Sequence, residues 1–239
     1  MKVISFFSAK GGTGKTTFNV LLASYLKYRL EKRVMVLDFD YPEYNLIYIR
    51  RRDLRYMERE GILYTDEQLY PIEEVERMNP GQLRSLSKSI HSLSEELDYL
   101  ILDFPGSFAA DDAVCELVLE RVIDLIIIPV ELDPMNVASM RTLARILQEN
   151  RQKTMLFFNR VQGTEPQAAY QRLREWFAED GASVSEQVVK HSTSMKKEMD
   201  EKSHVRSTVN FPLAYANKRN PGIIKLFDEI LEYVEKNNP

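Results

Sequence analysis

The chain has 239 residues, 44% hydrophobic and 28% charged, which is enough to bury one full core and gives one α/β domain as the natural size. Its formal net charge of −4 excludes nucleic-acid binding through overall charge and leaves only a local patch for that purpose. One cysteine, Cys115, and three histidines exclude a disulfide within the chain and a thiolate metal site, a reducing cytoplasm fits, and no run of about eighteen apolar residues offers a membrane span.

Met1-Lys2-Val3 leads straight into a strand expected over residues 2–8, with no signal-peptide layout. Its near-continuous apolar character is that of a strand covered on both faces. Lys10-Gly11-Gly12-Thr13-Gly14-Lys15-Thr16-Thr17 follows, and a helix is expected from Thr16 to about Leu30. Phe18, Leu21, Leu22, Tyr25 and Leu26 fall at helical spacing on its sheet-facing side. A strand, a glycine loop and a helix start form a cradle for a polyphosphate. Glycines let backbone N–H groups turn inward, and the helix N-terminus adds partial positive charge. Against the pattern G-x-x-x-x-G-K-[ST], Gly14, Lys15 and Thr16 match, while the first glycine position holds Ala9. In this pattern Lys15 reaches the terminal phosphates and the Thr16 hydroxyl sits on Mg2+. A second lysine, Lys10, precedes the first. The plainer alternative is a glycine turn beside a surface lysine.

Val34-Met35-Val36-Leu37 is the next strand and ends in Asp38-Phe39-Asp40. Alternate residues of a strand share a face, so both carboxylates project at the carboxyl edge of the sheet beside the phosphate loop, or simply cap a strand end. Residues 44–70 hold Arg50, Arg51, Arg52, Arg55 and Arg59 among Tyr44, Tyr48, Tyr56 and Tyr64. A helix places Arg51, Arg55 and Arg59 on one stripe. That stripe is either a DNA-backbone contact or a solvated face paired to Asp53, Glu58 and Glu60. Ile72 to Leu97 reads as mostly helical, broken at Asn79-Pro80-Gly81.

Tyr99-Leu100-Ile101-Leu102-Asp103 is a buried strand ending in an acid that would hold Mg2+, and Phe104-Pro105-Gly106-Ser107 is the turn after it. A helix over Ala109–Glu120 buries Cys115, and a strand runs over Ile123–Val130. Pro134 opens a helix to about Gln148. Thr154–Phe158 is a strand ending in Asn159-Arg160, and Pro166–Glu179 is a helix with Trp176 placed in the core. A short strand over Val184–Val189 leads to a helix start at residues 192–198. The last helix, Ile223 to about Lys236, has Ile223, Leu226, Phe227, Ile230, Leu231 and Val234 on one face and acids on the other. A membrane-binding helix is basic on its polar side, so this one is expected to dock on the domain, with no membrane anchor. The alternation of strands and helices implies one domain, 1–239, with a doubly wound, mostly parallel sheet flanked by helices on both faces.

The two-lysine loop, the D-x-D strand and the Asp103 strand together resemble the deviant P-loop ATPases of the ParA/MinD group over almost the whole chain. Asp40-Tyr41-Pro42-Glu43-Tyr44, Asp103 to Ser107, and Arg206 to Pro212 resemble, more finely, the ParA-type (TraA-like) proteins of conjugative transposons. The resemblance implies ATP and Mg2+ as ligands, held by Gly11, Gly12, Thr13, Gly14, Lys15, Thr16 and Thr17. It implies that Lys10 reaches the partner's nucleotide across an ATP-dependent homodimer, and that Asp40 directs the attacking water. Asp38 then supports the metal shell and the loop, and Asp103 the metal. Asn159 reads the adenine edge, Pro212 passes over the base, and the loop after Asp103 senses the γ-phosphate. Implied partners are non-specific DNA and a ParB-like or other stimulating protein. Two further readings stay open: a positioning switch acting on a protein or membrane, and an amide- or lactam-forming synthetase. An iron–sulphur reductase needs more cysteines than Cys115 supplies.

Overall fold

The computed structural model describes residues 1–8, 11–76, 80–105, 122–149, 153–163, 167–192, 208–211 and 220–237. The apolar runs become strands β1 (Lys2–Phe6), β2 (Val34–Asp38), β3 (Ile72–Glu74), β4 (Tyr99–Asp103), β5 (Leu125–Val130), β6 (Thr154–Val161) and β7 (Ser183–Lys190). They form one sheet in the order β3-β2-β4-β1-β5-β6-β7, and every neighbouring pair is parallel. The chain therefore winds outward both ways from β1, as the alternation of elements implied.

Period-two alternation sends each strand's side chains to two separate cores. On one face Ile4, Phe6, Val36, Ile101, Ile127 and Phe157 pack under helix α1 (Lys15–Ser24), α2 (Asn45–Arg59) and the last helix, α6 (Gly222–Asn237). On the other, Val3, Leu37, Leu102, Ile128 and Phe158 meet Ile90 of α3 (Pro80–Ser92), Met140 and Leu143 of α4 (Pro134–Glu149), and Tyr170, Leu173 and Phe177 of α5 (Gln167–Glu179). Proline opens both α3 and α4, where its missing N–H takes nothing from the helix. The expected apolar stripe of α6 is buried, and its acidic side is also used. Asp228 accepts a hydrogen bond from the Tyr25 hydroxyl (2.6 Å), and Glu229 accepts one from the Ser185 hydroxyl (2.6 Å).

Three expectations are corrected. Ile72–Glu74 is a strand, not helix: Val36 pairs with Ile72, Leu37 with Glu73 and Asp38 with Glu74 along the open edge of β2. Three residues are too few for a readable periodicity, and two glutamates suit an exposed sheet edge. Trp176 is not core; it is 45% exposed because the buried stripe of α5 runs through Tyr170, Leu173 and Phe177, and its ring lies 5.3 Å from the Arg141 guanidinium. The strand Thr154–Phe158 continues through Asn159 and Arg160 to Val161. The helix placed over Ala109–Glu120, the helix start at residues 193–198, and Lys10, Gly106, Ser107, Arg206 and Pro212 lie outside the described residues.

Candidate nucleotide-binding site

The carboxyl ends of β1, β2, β4, β5 and β6 meet around the loop that enters α1. That edge, where strand order reverses about β1, is where open α/β sheets take ligands. Gly14 caps α1 with φ 96° and ψ 13°, and Gly12 has φ 78°; both lie in the left-handed region that glycine adopts without steric cost. The loop is held from behind by β6. Asn159 Nδ2 donates to the Thr13 carbonyl (2.8 Å), and Arg160 Nη2 donates to the Gly12 carbonyl (2.6 Å). Arg160 Nη1 is braced on Glu131 Oε1 (2.8 Å) at the end of β5. Because peptide units are planar and trans, holding these two carbonyls toward β6 turns the N–H groups of Thr13 and Gly14 the opposite way. The loop is thus preset with its donors facing away from β6.

Lys15 is 7% exposed, and burial pushes its amine down while Asp103 and Asp40 pull it back toward the charged form. Asp38 and Asp103 are direct neighbours in the β2–β4 register and are both fully buried. Each shares parity with the residues beneath α1, so both carboxylates face the helix start rather than the opposite core. Burial pushes the Asp103 carboxyl up to about 7, with repulsion from Asp38 next, while the Thr16 hydroxyl and the Asn19 amide favour the charged form. Asn19 Nδ2 donates to Asp103 Oδ1 (2.7 Å), whereas Asp103 Oδ2 and Thr13 Oγ1 are buried with no hydrogen-bond partner.

Asp38 has a different occupation. Its Oδ2 accepts from the backbone N–H groups of Leu46 (3.2 Å) and Ile47 (3.3 Å), and its Oδ1 from Asp40 N (3.1 Å). The cap residue of α2, Tyr44, is left-handed (φ 43°) and contributes no side-chain cap, so Asp38 supplies the capping acceptor across the turn. Burial pushes the Asp38 carboxyl up, and these N–H groups draw it partly back. These bonds tie both carboxylate oxygens of Asp38 to the turn that leads into α2. Asp40 is half-buried and accepts from Asn45 Nδ2 (2.7 Å).

Asn159 braces the phosphate loop through Nδ2, and its Oδ1 accepts from the N–H of the next residue, Arg160 (2.9 Å). Phe211 is buried, its ring 5.2 Å from that of Tyr25. Thr208 anchors the same short segment: its N–H (2.9 Å) and hydroxyl (2.6 Å) donate to Asp53, and its carbonyl accepts from Tyr28 and Arg50. The arginine stripe is largely committed within the chain. Arg52 pairs with buried Asp53, Arg51 with Glu74 and Arg59 with Glu60, while Arg50 lies 4.6 Å from the Tyr70 ring centre. Sequence reasoning missed Asn19, Asn45, Glu131 and the bracing role of Arg160. Of these, only Asn19 carried a signal: a lone amide on the apolar face of α1, one turn beyond Thr16.

Among the described residues no cluster of three or more His, Cys, Asp or Glu could cage a metal ion. A buried acid with one partnerless oxygen beside a threonine at a phosphate loop is a different donor set. It fits Mg2+, which binds through one or two protein oxygens together with nucleotide phosphates. No helix among the described residues is long and apolar enough to cross a membrane.

A parallel sheet wound about β1, a glycine loop with a buried lysine at its exit, and adjacent acids ending β2 and β4 define a P-loop ATPase fold of the ParA/MinD type. Residues 2–137 match the family model described as ATPase MipZ, more than half of the chain, and the protein belongs to that family. No curated protein sequence matches it. Among solved structures it is similar to the MinD cell division protein of Aquifex aeolicus in complex with MinC (17% identity, TM-score 0.67, covering 97% of this chain and 96% of that one). It is also similar to a plasmid partition protein of Borrelia burgdorferi bound to AMPPNP (18% identity, TM-score 0.63, 98% and 99% covered). A third is pNOB8 ParA bound to nonspecific DNA (16% identity, TM-score 0.57, 99% and 98% covered).

Proposed function

We propose that this protein, as one domain, binds ATP with Mg2+, hydrolyses it slowly, and uses ATP-dependent pairing of two chains to control association with DNA during partition or conjugative transfer of a mobile element. The observation that carries the nucleotide reading is the preset loop: its donors are oriented by Asn159 and Arg160, with Lys15 at its exit and the partnerless Asp103 oxygen behind it. The loop amides of Gly11 to Gly14 and the Lys15 ammonium hold the β- and γ-phosphates, with Thr17 in the same turn. Thr16 and Asp103 hold Mg2+, which when bound neutralises charge on the β- and γ-oxygens. Asp40, fixed by Asn45, orients water in line with the γ-phosphorus. The water oxygen bonds to the γ-phosphorus as the bond from that phosphorus to the β–γ bridging oxygen breaks; a water proton passes to an oxygen of the transferred phosphoryl group, giving ADP and phosphate.

In this reading Lys10 enters the partner's site and is worth about 10³–10⁵ in rate, as cations supplied in trans to phosphoryl transfer are. Pro212 passes over the base, next to the anchored Thr208–Phe211 segment. A ParB-like or other protein stimulates turnover, and the chain works in the cytoplasm. The DNA reading draws on the DNA-bound ParA among the similar folds, not on α2, where Arg51, Arg52 and Arg59 are paired to acids. The MinD–MinC complex favours a second reading, a positioning switch whose target is another protein.

Sedimentation velocity without nucleotide, with ADP and with ATP, and then with random-sequence DNA, tests the proposal. Dimers with ATP alone, and DNA association only in that state, are expected. Lys15→Ala is expected to lose nucleotide, Lys10→Ala to bind it without dimerising, and Asp40→Ala to trap the ATP dimer. A Lys10→Ala protein that dimerises normally refutes the trans role, and ATP dimers indifferent to DNA move the function to the switch reading.

A further inference from the structure

Asn19 is a fully buried amide in the middle of the sheet-facing side of α1, among Phe18, Leu22 and Ala23. A buried amide is costly to keep unless it is hydrogen-bonded, so its bonds indicate why it is there. Its Oδ1 accepts from the backbone N–H of Phe6 (3.4 Å), the last residue of β1. That contact fixes which end of the amide is which, leaving Nδ2 facing Asp103 Oδ1 at 2.7 Å. The carboxylate is thus tied at one oxygen, and the oxygen left partnerless is Oδ2. One helical turn earlier on α1, Thr16 acts on the same carboxylate. The acid cannot rotate to offer the other oxygen without abandoning the amide, and the amide cannot follow without abandoning β1.

We propose that Asn19 is a positioning residue for the cation of the bound nucleotide: by holding Asp103 Oδ1 it presents Oδ2 to Mg2+ or to a water on it. This rests on the Mg2+–ATP reading above and adds a second supporting residue to it. Partners of metal-ligating carboxylates affect metal affinity by about 10–100-fold when removed.

The test is a fluorescence titration of a mant-ATP complex with Mg2+, starting from EDTA, on the full chain. Asn19→Leu keeps the volume and removes the amide. It is expected to bind mant-ATP in EDTA within about twofold of the unmodified protein, because the loop and Lys15 are untouched, while its Mg2+ midpoint rises about 10–100-fold. In an Asp103→Asn background the same substitution is expected to add no further shift, which a merely structural role would not produce. Asn19→Ala in the same titration serves if Asn19→Leu does not fold. An unchanged Mg2+ midpoint, in a protein where Lys15→Ala abolishes binding, overturns this inference and leaves the nucleotide reading standing. Absence of any Mg2+ response in the unmodified protein overturns the nucleotide reading, and this inference with it.

Discussion

Replacing Asp103 with asparagine is expected to make the ligand-free protein more stable, and more so as the pH rises. In the fold the carboxyl is buried beside Asp38 and titrates at about 7, against an ordinary value of 3.8. The folded state therefore binds a proton more tightly than the unfolded chain. This group's contribution is neutral below about pH 4 and becomes increasingly unfavourable as pH rises toward 7, where the penalty is complete. A displacement of that size corresponds to roughly 4 kcal/mol. The carbonyl oxygen of the introduced amide still accepts from Asn19 Nδ2, so that bond survives. Lys15 loses one of its two anionic neighbours, which takes back part of the gain and leaves about 2–4 kcal/mol at pH 8. At roughly 2–4 °C per kcal/mol for a chain of this size, Asp103→Asn should melt at least about 4 °C higher at pH 8, and the gain should shrink at pH 4.5 to what about 1 kcal/mol supplies. Differential scanning calorimetry in EDTA at both pH values measures this. A difference equal at the two pH values, or a less stable variant at pH 8, refutes the reasoning.

Gly14→Ala places a side chain at φ 96°, with its Cβ 3.4 Å from Asn159 Nδ2, so a loss of about 1–2 kcal/mol is expected in thermal melts, along with weaker nucleotide binding. Asp53→Ala strips an ion-pair partner from buried Arg52 and the acceptor from the Thr208 N–H and hydroxyl; urea unfolding should show a loss of about 3–5 kcal/mol, whereas Arg51→Ala on the surface should lose less than about 1 kcal/mol. Arg160→Ala frees the Gly12 carbonyl at an exposed position and is expected to shift stability by no more than about 1 kcal/mol. The same variant should lower nucleotide affinity several-fold, read by fluorescence titration beside a melt.

The strands, the helices with clear stripes and the residues at the sheet edge were legible because they rest on local rules. Short continuous apolar runs rich in Val and Ile and bounded by turn residues read as covered strands, and Gly12, Gly14 and Lys15 carry their conformation and charge wherever the strand before them ends. β3 was not legible, since three residues become a strand only because β2 has an open edge to pair with. Trp176 was misplaced because a large apolar side chain says nothing about which arc of its helix meets the sheet.

The sequence by itself determined which residue types arrive at the carboxyl edge, because the order of strands and loops along the chain fixes that. Only the tertiary structure decided what each does there. Asp38 turns to the first N–H groups of α2, Asn159 and Arg160 hold the phosphate loop from behind, and Asn19 reaches from a helix into β4. Those partners lie 8 to 148 positions apart in sequence. Hydrogen-bond geometry discriminates over tenths of an ångström, a precision that packing of the whole sheet supplies and spacing along the chain does not.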